Sequence, residues 1–106
     1  MNAVASPLQS DQELRVLNTS LSARLVTVNE AHRALSARGY HLVRQDLRLG
    51  TAKRPLLTLD RGNEDLRSEL SQIRTGIGDD GAFVMGKFMD VDVCWIVVPA
   101  NAELVQ

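Results

Sequence analysis

The sequence predicts an α+β fold: a four-stranded, mainly antiparallel sheet with a long N-terminal helix and a short second helix on one face. Three observations lead there. From Ser10 to Gly39 the apolar residues recur every three or four positions, the period of a helix. Two later stretches, 40–60 and 82–98, are short apolar runs separated by turn residues, the pattern of strands. Between them a brief segment, about Glu64 to Arg74, returns to helical spacing. The expected order is α-β-β-α-β-β.

The first helix carries its own boundary signals. Ser10 and Glu13 have capping-box spacing, in which the hydroxyl and the carboxylate each satisfy a free amide of the first turn. Leu14, Leu17, Leu21, Leu25, Val28, Ala31 and Leu35 then share one face, and most of the charged residues fall elsewhere. Arg38 suits the negative end of the helix dipole. Gly39 suits the left-handed position that closes a helix. Asn18, Thr19 and Ser20 favour caps over helix interiors, so a break near Ser20 is one alternative. Unbroken, the helix would run about 40 Å, longer than a compact domain of this size, and would expose Leu14, Leu17 and Leu21. A homodimer interface on these three leucines is one way to cover them.

After Gly39, Tyr40 to Leu49 reads as a strand, with Val43, Gln45, Leu47 and Leu49 on one face and Leu42, Arg44, Asp46 and Arg48 on the other. A hairpin loop leads to a returning strand, Pro55 to Asp60, whose Leu57 and Leu59 should face the core. Asn63 is placed to cap the second helix, and Leu66, Leu70 and Ile73 give its apolar side. Residues 76–81 read as a flexible acidic loop. Ala82 to Met85 reads as a strand, Gly86-Lys87 as a turn, and Phe88 to Val98 as a central strand with Val91, Val93, Trp95 and Val97 on one face. The domain plan is a flexible tail over 1–9, one α+β domain over 10–99, and a C-terminal tail over 100–106.

Composition narrows the class. The chain has 106 residues and 44% apolar content, enough for one domain with a modest core. One cysteine, Cys94, excludes an internal disulfide. No run approaches a membrane span, and 1–9 lacks a signal-peptide pattern, so a cytoplasmic protein is expected. Net charge is −1, unevenly spread: 31–61 holds seven basic and two acidic residues, and 62–106 holds three basic and eight acidic. This asymmetry marks a binding face or two halves that complement each other. The four aromatics leave few to spare for stacking on bases.

Segments that look like chemistry fail on context. Gly76-Ile77-Gly78-Asp79-Asp80-Gly81 has dinucleotide-loop spacing, but it follows a helix and carries two aspartates that would repel phosphate. Gly81 to Lys87 approaches a P-loop, but its interior is strand-like and Phe88 stands where a hydroxyl should be. Asp79, Asp80, Asp90 and Asp92 lack calcium-loop spacing and read as surface carboxylates. His32 and His41 have no positioned carboxylate. No catalytic, metal or cofactor residue is assigned, and a non-enzymatic protein is expected.

Two surfaces remain. Asp79, Asp80, Asp90 and Asp92 could form an acidic face that competes with nucleic acid for a basic groove on a protein partner. Alternatively, Arg44, Arg48, Lys53 and Arg54 on the first hairpin could contact phosphates.

The segment Val28 to Val43 (VNEAHRALSARGYHLV), followed by Arg54-Pro55-Leu56-Leu57-Thr58-Leu59, resembles the helix-Gly-strand, Arg-Pro-strand layout of small accessory proteins of phages and mobile elements, some of them anti-CRISPR inhibitors. The resemblance covers about a third of the chain and transfers no site residue. It implies an intracellular protein that acts by binding a nucleic-acid-handling complex. The leading expectation is such an inhibitor; the alternative is a small dimeric nucleic-acid-binding regulator using the basic hairpin.

Overall fold

The computed structural model describes residues 5–99, with side chains for 19–97. The order is α1 (Ala5–Ala37), β1 (Leu42–Asp46), β2 (Leu56–Leu59), α2 (Glu64–Glu69), β3 (Ser71–Gly78), β4 (Gly81–Phe88) and β5 (Val91–Pro99). The strands form one sheet in the order β1-β2-β5-β4-β3. Neighbours are antiparallel except β2 and β5, which run parallel, with Leu57 opposite Val93. The fold is α+β, but its sheet has five strands and is mixed.

α1 is continuous across Ser20, so the break is not taken. It begins at Ala5, before the expected start at Ser10, which lies inside the helix; the side chains of Ser10 and Glu13 lie outside the described residues. Gly39 closes it with φ 88°, and Tyr40 N–H donates to the Leu35 carbonyl at 3.0 Å. Val28, Ala31 and Leu35 are fully buried; Leu21 and Leu25 are only half-covered. The radius of gyration, 18.3 Å, exceeds the roughly 13 Å of a compact chain of this length, as an overhanging helix requires. Residues 1–4 and 100–106 lie outside the described residues, as do the side chains of Leu14 and Leu17. No helix among the described residues is long and apolar enough to cross a membrane.

The helices cover one face of the sheet. Leu57 and Leu59 of β2, Val84 and Phe88 of β4, and Val91, Val93 and Trp95 of β5 meet Val28, Ala31 and Leu35 of α1 and Leu66 and Leu70 of α2 in one core. The alternation read for β2 and β5 therefore holds, and β5 is central, although Val97 is exposed. The other face of β5 is not covered by a helix.

Asn63 caps α2: its Oδ1 accepts from Leu66 N–H at 2.9 Å and from the Tyr40 hydroxyl at 2.7 Å. Arg38 at the end of α1 grips Glu69 of α2 at 3.0 Å and lies over the Phe88 ring.

Three expected elements change. The second helix stops at Glu69, because Leu70 takes an extended backbone, and Ser71–Gly78 becomes the edge strand β3. Its Ile73-Arg74-Thr75-Gly76-Ile77 suits a pleated strand better than a helix, and Ile73 lies outside the core. The supposed acidic loop shrinks to a turn at Asp79-Asp80. β4 runs through Gly86-Lys87, since Leu70 packs on Gly86, where an added Cβ would lie 2.8 Å from it. The turn falls instead at Met89-Asp90, both at positive φ. β1 is shorter than expected. An irregularity between Leu42 and Arg44 puts Leu42 against the core and leaves Val43 exposed, so the predicted faces are exchanged at these two residues, while Gln45, opposite Leu57, and Leu47 keep the core side.

Gly62 is required by close approach: a Cβ there would lie 2.4 Å from the Trp95 ring. Gly62→Ala should lower stability by about 1–3 kcal/mol through overpacking, and Leu57→Ala by about 2–5 kcal/mol through a cavity. Urea unfolding followed by circular dichroism checks both; unchanged midpoints would contradict this packing.

Candidate functional site: the open face of the sheet

Strand alternation decides what the uncovered face carries. One row crosses all five strands: Arg44 lies opposite Thr58, Thr58 opposite Cys94, Cys94 opposite Met85, and Met85 opposite Arg74. At about 4.8 Å per strand, the two arginine positions stand about 19 Å apart. Between them the row is apolar or weakly polar. Thr58 Oγ1 and Cys94 Sγ meet at 3.5 Å, and Arg74 Nη2 lies 3.3 Å from Met85 Sδ. Beside this row, Ile96 faces Phe83 and Phe83 faces Gly76. Phe83 lies over Gly76, whose missing Cβ leaves room for its ring.

The parallel row contains the one buried carboxylate among the described residues. Asp92 is 4% exposed. Its Oδ2 accepts from Arg48 Nη1 at 3.0 Å and its Oδ1 from Arg54 Nε at 3.1 Å. Its backbone N–H donates to the Pro55 carbonyl at 2.8 Å. Arg54 Nη2 also donates to Gln72 Oε1 at 3.0 Å, and Arg48 Nη1 to the Arg54 carbonyl at 3.2 Å. Two guanidinium groups on one carboxylate leave local positive charge. Arg48, Lys53, Arg54, Arg74, Phe83, Met85 and Asp92 line a groove of about 510 Å³.

The β1–β2 loop that carries Arg48, Lys53 and Arg54 is held from the helix side by Arg24. Its guanidinium donates at 2.8 Å to the carbonyls of Leu47, Lys53 and Thr51. Thr51 Oγ1 closes the loop by donating to the Arg48 carbonyl at 2.7 Å.

Comparison with protein-family models, with curated proteins and with solved structures returned no match. The site therefore rests on its own geometry.

The four aspartates do not share a face. Asp79 and Asp80 form the β3–β4 turn and Asp90 the β4–β5 turn, at opposite ends of β4, about 25 Å apart at strand rise. Asp90 pairs with Lys87 at 3.7 Å. Asp92, read from sequence as an outward surface carboxylate, is buried by Arg48 and Arg54. Among the described residues no group of three or more His, Cys, Asp or Glu could hold a metal. His32 is half-buried on α1 and His41 is exposed ahead of β1.

The basic hairpin residues do come together on or beside the open face: Arg44 in its main row, Arg48 and Arg54 at Asp92, and Lys53 on the groove rim. Sequence reading missed Arg74, Phe83 and Met85. The signal for Arg74 was the alternation of Ile73, Thr75 and Ile77 along a strand, which the helical spacing of Leu66, Leu70 and Ile73 obscured.

Asp92→Ala would leave two arginines facing each other without their anion. It should lower stability by about 2–4 kcal/mol, with Asp92→Asn losing less. Urea midpoints for the two variants check the order; equal and negligible losses would remove Asp92 as the anchor of the loop.

Proposed function

We propose that this is a non-enzymatic binding protein whose open sheet face holds single-stranded nucleic acid. The observation that carries the reading is the make-up of that face: a central strip of Phe83, Met85 and Ile96 on which bases can lie, with Arg44 and Arg74 at its borders and Arg48, Lys53 and Arg54 beside it. Cations flanking an apolar and aromatic strip suit a chain of phosphates with splayed bases. On this face the basic side chains outnumber the carboxylates Asp46 and Asp92. The regulator alternative drawn from sequence thus gains support, with Arg74 and Phe83 added to its residues.

A duplex fits less well. The sheet face offers no helix to enter a major groove, and stacking within a duplex hides the base faces that Phe83 would contact.

Fluorescence anisotropy with short single-stranded DNA and RNA, at about 50 and 200 mM salt, tests the reading. Affinity should fall as salt rises. Arg44→Ala and Lys53→Ala should each reduce the slope of log affinity against log salt by about 0.7 per lost phosphate contact. Phe83→Ala should cost about 1–3 kcal/mol of binding with the salt slope unchanged. Absence of binding at low salt would overturn the reading and return the protein-directed inhibitor to first place, to be tested by activity of a captured nucleic-acid-handling complex.

A further inference from the structure

We propose that β3 pairs with β3 of a second copy, antiparallel about a two-fold axis at Gly76, so that two five-stranded sheets become one of ten strands. This goes beyond the nucleic-acid reading and does not depend on it.

The two sheet edges differ. β1 is short, irregular between Leu42 and Arg44, and charged at Arg44 and Asp46, which are ordinary protections against edge pairing. β3 has eight residues, no lysine and no proline, and all but Gly76 are exposed. Beyond its irregular start, Arg74 to Gly78 forms an unbroken ladder with β4, leaving the outward N–H and C=O groups of its alternate residues for another strand.

That five-residue segment is self-complementary when centred on Gly76. Gly76 then faces its own counterpart, Ile77 faces Thr75 of the second copy, and Arg74 faces Gly78 of the second copy. By register Thr75 and Ile77 share the face of Val84, the helix side, where Ile77 is 88% and Val97 54% exposed. The pairing covers Ile77 twice, once in each copy.

Charge selects the same arrangement. Arg74 would stand beside the Asp79-Asp80 turn of the second copy, across a strand spacing of about 5 Å, within reach of an arginine side chain. Inside one chain the same residues are five steps apart along the strand, about 16 Å, too far to pair. Neither Asp79 nor Asp80 has an ion-pair partner among the described residues. Two such pairs would form, one on each side of the axis. At the axis itself Gly76 brings no side chain, so the Phe83 rings of the two copies flank it on the open face.

Light scattering on a sizing column, across a dilution series, tests the proposal. The wild-type protein should show twice the 11.7 kDa chain mass at high concentration. Ile77→Lys replaces an exposed side chain, so circular dichroism should be unchanged while the mass falls to that of one chain. Arg74→Asp should do the same by facing an acidic turn, and Arg74→Asp with Asp79→Arg should restore the dimer. A wild-type monomer throughout would overturn the proposal. So would a dimer that survives Ile77→Lys and Arg74→Asp, which would place the contact elsewhere, on the overhanging part of α1.

Discussion

A single buried carboxylate ties the two halves of this sheet together. Asp92 sits on the central strand next to the parallel seam of β2 and β5, and it holds Arg48 and Arg54 from the loop that precedes β2. A lone carboxylate at this depth would be costly; with two guanidinium partners it is satisfied, and it fixes where the loop lies. Arg24 then secures the same loop from the helix. The loop is thus clamped from both faces of the sheet, and the positions of Lys53, the groove and the start of β2 all follow.

Much of the fold was legible because its signals are local. The helical period of Val28, Ala31 and Leu35, the glycine stop at Gly39, the Asn63 cap and the alternation of Val91, Val93 and Trp95 each act within a few residues, and each stands in the structure. What stayed hidden depends on distant partners. Ser71–Gly78 is a strand because β4 lies beside it, and Gly86 stays within a strand because Leu70 covers it. The parallel pairing of β2 with β5 has no signature in either segment.

The same division applies to the site. Arg44, Arg48, Lys53 and Arg54 could be grouped from sequence because they occupy one hairpin. Arg74, Phe83 and Met85 join them only through strand order, and Asp92 could not be told from a surface aspartate without the two arginines that bury it. Charge counting by sequence segment therefore put an acidic region where the structure has separate turns and one internal anion.

The parallel seam has a consequence for how the molecule assembles. β1 with β2, and β3 with β4 and β5, are each closed by short connections, so either group can form from neighbouring residues. Their union joins Leu57 to Val93 and must wait for the last strand. During synthesis the first hairpin and the helix leaning on it would emerge with the β5-facing edge of β2 unpaired until β5 arrives. Sheet closure is then the slow, non-local step, and until it happens an unpaired strand edge stands open to wrong partners.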